Sequence, residues 1–330
     1  MKKSALTPLL AAAATTALAY ALLPSRPRLR AGQVAIITGG SRGLGLALAH
    51  RFGRAGIKLA LAARNADELE IARDSLLRSG DVAREDDILL VDCDLTDQAQ
   101  AAGLVENTLR AFGQLDVLIN NAGIIEVGPV EDQPLATYEL TMQTNFFAAL
   151  YTIKAALPRL LQQGSGAIVN ISSIGGKVPV PHLLPYVAAK FALTGFSEGL
   201  HAELRQKGIR VTTVCPGLMR TGGEEHAHFT GEIEKEEQWF KLAAKTPGIA
   251  ANVDHAANRI FSAVNAGRAE ITITPQAWLA ARFHGLAPGT SQYLASLANE
   301  YLLPAPLGTE PSSVPETSFE PEPFADPSPS

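Results

Sequence analysis

Residues 34–45 read VAIITGGSRGLG, four apolar residues and a threonine running into a glycine-rich turn and then into a helical pattern. The run is short, mostly β-branched and nearly all apolar, which suits a strand covered on both faces. Leu44, Leu48 and Phe52 follow at i, i+4 and i+8, so a helix over 44–55 is expected to present one apolar face. A strand that turns sharply into a helix through glycines aims unpaired backbone N–H groups at the space above the turn.

The same rhythm repeats outward from this unit. Short apolar runs at 58–62, 88–91, 117–119, 167–171, 211–214 and 270–273 predict six further strands. Helices are expected between them. One covers 66–78 after Asn65, an N-cap with Glu68 at the third helical position. Another covers 98–112 and stops at Gly113. Strand-helix alternation of this kind predicts an α/β fold, a Rossmann-type doubly wound parallel sheet of about seven strands with helices on both faces.

Four regions follow from composition. Residues 1–30 hold an apolar, alanine-rich run (5–23) between lysines and arginines, long enough as a helix to span about 28 Å. A membrane anchor, a cleaved signal and a peripheral helix all fit it. Residues 31–275 carry the alternating pattern. Within them 222–248 is charged, contains Trp239 and Phe240, and reads as a lid or substrate-facing excursion. Residues 276–303 read as two amphipathic helices, and 304–330 as a proline- and acid-rich disordered tail.

Net charge is −5, which offers no field for nucleic acid. The two cysteines, Cys93 and Cys215, are too few for a disulfide framework and read as buried thiols. His226 and His228 form a His-x-His pair that reads as a solvated loop, and no metal site is expected.

The residues that carry chemistry lie at the C-terminal ends of the strands. Thr38, Gly39, Ser41, Arg42, Gly43, Leu44 and Gly45 form a G-x-x-x-G-x-G loop suited to the pyrophosphate of a dinucleotide. After the second strand stands Arg64, where an acid would bond a ribose 2′-OH. Arg64 and Arg42 can clamp a 2′-phosphate, so NADP(H) is favoured over NAD(H). Asp94-Leu95 and Asn120-Asn121-Ala122-Gly123 close the third and fourth strands. Ser173 closes the fifth, and Tyr186 and Lys190 follow as Tyr-x-x-x-Lys, one helical turn apart on a shared face. A neighbouring ammonium is expected to lower the tyrosine pKa and bring the phenol toward acid/base work near neutral pH.

With these motifs in this order, residues 33–274 resemble a short-chain dehydrogenase/reductase. The resemblance implies a carbonyl/alcohol oxidoreductase with Tyr186 as acid/base and Ser173 on the substrate oxygen. It implies that Lys190 holds the nicotinamide ribose, and that Asn145 helps hold a water linking Lys190 to solvent. Pro216, Gly217 and Thr221 are implied at the nicotinamide, and a homo-oligomer through the helices bearing Asn145 and Tyr186. The pocket walls are expected from 178–185, 222–248 and the helices after Thr274, with Val180, Leu183, Leu184, Trp239 and Phe240 favouring an apolar substrate. The catalytic domain is expected in the cytoplasm, with membrane association through residues 5–23. The alternative is a catalytically silent NADP(H) sensor or membrane-associated scaffold on the same fold.

Overall fold

A computed structural model describes residues 29–220, 227–245 and 250–308. The expected membrane segment, most of the acidic tail and Thr221 lie outside them. Seven strands form one sheet: β1 (Val34–Thr38), β2 (Lys58–Ala63), β3 (Ile88–Asp92), β4 (Val117–Asn120), β5 (Gly166–Ile171), β6 (Ile209–Pro216) and β7 (Glu270–Ile273). Their order is β7-β6-β5-β4-β1-β2-β3, and every pairing is parallel. β1 is completely buried because the sheet is covered on both faces.

The helices separate onto those two faces. On one lie α1 (Gly43–Gly53), α2 (Ala66–Arg78) and, later in the chain, a helix at Val253–Ala266. Their apolar residues pack with Ile37, Leu59, Leu61 and Val169 of the strands. On the other lie α3 (Gln98–Phe112), a helix at Ala148–Gln163 and a long helix at Leu184–Leu204. These bury Leu104, Ile153 and Leu160 against Ile36, Leu118 and Ile168. Numbered in chain order, α4 is Leu135–Met142, α5 is Ala148–Gln163, α6 is Leu184–Leu204, α7 is Ile233–Lys245 and α8 is Val253–Ala266.

The caps act as the residue types require. Asn65 Oδ1 accepts from the Glu68 N–H at 3.1 Å, Asp97 caps α3, and Asn252 caps α8. Between α4 and α5, residues Gln143–Phe147 form a π-helical turn that no sequence signal announced. After β7 come α9 (Pro275–Leu286) and α10 (Pro288–Leu302). Of α9 only Ala277 is buried, while Trp278, Leu279 and Leu286 are exposed. No helix among the described residues is long and apolar enough to cross a membrane.

The chain reverses its strand order between β1 and β4. At such a point the helices leave in opposite directions and a crevice opens above the strand ends. The loops after β1 and β4 are therefore neighbours, and both carry residues singled out from the sequence.

Phe52 of α1 is wholly buried and packs edge-on against Phe261 of α8, ring centroids 5.0 Å apart. Phe52→Ala removes this contact and leaves a void, so unfolding should cost about 3–5 kcal/mol less. Denaturant melts of the two proteins read the loss; a change under 1 kcal/mol would show that α8 does not depend on this ring.

Candidate active site

The crevice is a cleft of about 610 Å³ that runs from the glycine loop to α6. Gly39, Ser41, Arg42, Gly43 and Leu44 line one end, Arg64, Asp94, Leu95, Asn121, Ala122 and Gly123 the middle, and Tyr186 and Lys190 the other. Residues from six separate strand ends and helices thus meet in one volume.

Close packing without side chains makes the loop. A Cβ on Gly45 would sit 1.9 Å from the Gly39 carbonyl oxygen, so only glycine fits there. Thr38 does not line the cleft. Its Oγ1 accepts from the N–H groups of Asn121 (2.9 Å) and Ala122 (3.0 Å). Asn121 Nδ2 donates back to the Thr38 and Gly39 carbonyls. Thr38 and Gly45 therefore shape the cradle from behind. Asp94 also serves its own turn, its Oδ1 accepting from the Thr96 N–H and hydroxyl.

A buried polar ladder fixes the far end. Asn120 Nδ2 donates to Asn170 Oδ1 at 2.9 Å, and Thr152 donates to Asn120 Oδ1 at 2.7 Å. Asn170 Nδ2 reaches Ser197 Oγ on α6, which also receives Thr213 Oγ1. Each group is satisfied, so the ladder locks α5 and α6 to the sheet. Ser172 Oγ donates to the Lys190 carbonyl at 3.0 Å, which pins the turn of α6 that bears the lysine.

Asn145 sits in the π-helical turn and is 1% exposed. Its Oδ1 accepts from the Ile124 N–H at 2.8 Å and its Nδ2 donates to the Ile124 carbonyl at 3.0 Å. A Cβ on Gly123 would meet that Oδ1 at 2.7 Å, so the glycine permits the approach. Lys190 Nζ donates to the Ile171 carbonyl at 2.9 Å and lies 5.6 Å from the Tyr186 ring centroid. Ser173 Oγ accepts from the Gly175 N–H at 3.0 Å and is hydrogen-bonded to the Tyr186 phenol.

The electrostatics differ from the sequence expectation. Burial raises the Tyr186 phenol above its ordinary value, and the Ser173 hydrogen bond only partly opposes this. Burial also lowers the Lys190 ammonium to about 8. Lys190 is itself desolvated, and loss of water sets the direction for both groups.

Other expectations are redrawn. Pro216 and Gly217 do not line the cleft; Gly217 N–H pairs with the Ile273 carbonyl at 3.0 Å and ties the end of β6 to β7. Cys215 is fully buried, and burial pushes its thiol up to about 12. Cys93, whose thiol burial pushes to about 11, lines the cleft instead. Val180, Leu183, Leu184, Trp239 and Phe240 do not line it. Trp239 and Phe240 pack on each other, and Trp239 donates to Glu236, which also binds His182 at 2.7 Å in a fully enclosed pair. The excursion is thereby clasped to the loop before Tyr186.

Residues that the sequence did not announce also line the cleft, among them Thr144, Ile124, Ile125, Met219 and His228. His228 pairs through Nδ1 with the buried Glu126 at 2.7 Å. Among the described residues no group of three potential ligands could hold a metal. Most of these residues lie on connections, whose place in space has no local sequence signal.

Comparison with known proteins gives the family and the fold. The family described as short chain dehydrogenase matches residues 33–230. The chain is 36% identical over 267 residues to the dehydrogenase/reductase SDR family protein 7-like of Anopheles gambiae, covering 81% of this chain and 80% of that one. Its fold is similar to that of a short chain dehydrogenase/reductase from Burkholderia phymatum in complex with NAD, with TM-score 0.72, 24% identity, and 79% and 95% of the two chains covered. It is similar also to L-sorbose reductase from Gluconobacter frateurii complexed with NADPH and L-sorbose, with TM-score 0.65, 26% identity, and 76% and 97% covered. With a matching family over most of the sheet and a cleft at the switch point, this chain belongs to the short-chain dehydrogenase/reductase family and is an NAD(P)-dependent oxidoreductase acting on alcohol and carbonyl groups.

Proposed function

We propose that the enzyme prefers NADP(H) and interconverts an apolar alcohol and its ketone or aldehyde, with Tyr186 as acid/base. The observation that carries this is one cleft lined by both Arg42 and Arg64 and by Tyr186 and Lys190. The residues present fit a dinucleotide, because the glycines at 39, 40 and 45 let the turn pack closely against the neighbouring loop and bring the start of α1 to the cleft. Backbone N–H groups at the start of α1 would hold the pyrophosphate, and Lys190 the nicotinamide ribose. Arg64 is exposed and has no ion-pair partner among the described residues, so its guanidinium is available to a 2′-phosphate. When bound, the nicotinamide supplies or takes the hydride.

The chain's own groups handle the proton. Tyr186 gives its phenolic proton to the substrate oxygen in reduction and recovers it in oxidation. Ser173 Oγ accepts from the Gly175 N–H, and its O–H, directed at the Tyr186 phenol, would turn to donate to a substrate oxygen that enters between them. Lys190, fixed by Ile171 and pinned by Ser172, presents positive charge beside the phenol and favours its anionic form. Asn145 holds the Ile124 backbone and so fixes the wall opposite Tyr186. The apolar side chains beyond Gly123 are Ile124, Ile125 and Met219, which support an apolar substrate. We assign a homo-oligomer to α4, α5 and α6, where Leu140 and Phe191 are exposed.

Tyr186→Phe should lower kcat/KM for reduction of aldehydes and ketones about 10²- to 10⁴-fold while coenzyme binding is retained. Equal turnover by the two proteins would end the assignment. Arg64→Ala should raise KM for NADPH more than KM for NADH; matched changes would remove the 2′-phosphate role.

Lys190 adds a test by stability. The unfolded chain keeps its lysine proton to near 10.5, whereas the folded chain releases it near 8. Between those values the unfolded state binds more protons, so stability rises with pH there; below 8 the penalty is constant. The stability of wild type relative to Lys190→Met should therefore improve by roughly 1–3 kcal/mol from pH 8 to 10.5. A flat difference would show that burial does not discharge this ammonium.

A further inference from the structure

We infer that Glu68 is a specificity-determining residue that competes with the coenzyme's 2′-phosphate for Ser41 and Arg42. This rests on the NADP(H) reading above and deepens it. Glu68 lies in the first turn of α2 and lines the same stretch of cleft as Ser41, Arg42, Arg64 and Asn65. Its Oε1 stands 3.0 Å from Arg42 Nη1, and its Oε2 accepts from Ser41 Oγ at 2.9 Å. Its own backbone N–H is taken by the Asn65 cap, which fixes where the helix, and so the carboxylate, begins.

The carboxylate thus already sits on two of the donors a 2′-phosphate would seek. This stretch of wall carries two cations, Arg42 and Arg64, against the carboxylate of Glu68, with Asp94 a second anion further along the cleft. A 2′-phosphate brings close to two negative charges at neutral pH. To bind it, the chain must share Arg42 between two anions or release Glu68, and the like charges repel across the gap. For a coenzyme lacking that phosphate the same carboxylate is not repelled, and it can accept from the free 2′-OH. Glu68 therefore holds selectivity for NADP(H) below the level that Arg42 and Arg64 alone would set. The side chains are partly exposed, with the carboxylate 33% and the guanidinium 52% accessible, so the effect is screened and moderate.

The test is calorimetric titration of the full chain with 2′,5′-ADP and with 5′-ADP, which differ in the 2′-phosphate. Glu68→Gln keeps the shape and one acceptor but removes the charge. It should tighten 2′,5′-ADP binding roughly threefold to thirtyfold and leave 5′-ADP unchanged or weaker. Glu68→Ala should move both ligands in the same directions. The gain should shrink as salt is raised, which a purely structural change would not do. Unchanged or weaker binding of 2′,5′-ADP by both variants would overturn the proposal, since Glu68 would then position Arg42 rather than compete for its ligand. Equal affinity of the wild type for the two nucleotides, unaltered by Arg64→Ala, would overturn the NADP(H) reading itself.

Discussion

The cleft depends on how closely two loops can approach. At the switch point the turn after β1 folds back until the Gly39 carbonyl occupies the space a Gly45 side chain would need. The loop after β4 closes against that turn through Thr38 and Asn121, four hydrogen bonds that hold it from behind. A side chain in this packing would push the turn outward and break those bonds. No side chain caps the start of α1, so the donors of its first turn have no side-chain partner there. Everything that binds at this end of the molecule inherits its position from that contact.

At the other end, burial and charge oppose each other. Tyr186 and Lys190 share a face of α6, yet both are pushed by loss of water toward their neutral forms. A lysine beside a tyrosine on a helix surface would favour the tyrosinate. Here the same pair lies against β5, where desolvation outweighs the pair's attraction. Activation of the phenol therefore depends on polar groups that meet it in the cleft. The buried ladder from Thr152 to Thr213 keeps those groups in register, since each of its members is satisfied only when α5, α6 and three strands are in place.

The excursion after β6 shows how local reading stops short. Its Trp239 and Phe240 look like pocket walls in the sequence, since apolar residues in a charged segment invite that reading. In the structure Glu236 gathers them: it accepts from Trp239 and binds His182, and the aromatics become the segment's own small core. A buried carboxylate needs partners, and one of them, His182, lies 54 residues away in sequence. The π-helical turn at Asn145 is similarly silent, because one extra residue in a helical turn leaves no periodic mark. Thr38 and Gly45 serve the packing between the two loops, and Gly217 ties the end of β6 to β7, contacts that a motif by itself does not reveal.

The sequence alone determined the seven strands, the parallel alternation and the order of the motifs. Apolar runs of strand length, caps such as Asn65 and stops such as Gly113 act within a few residues of themselves. It also placed Ser173, Tyr186 and Lys190 on adjoining elements, because strand ends and helical turns have fixed geometry. The tertiary structure alone decided the electrostatics of that group and the partners of Glu68, Glu126 and Glu236. Desolvation and ion pairing depend on what surrounds a side chain in three dimensions, and those surroundings are supplied by segments that the linear order keeps far apart.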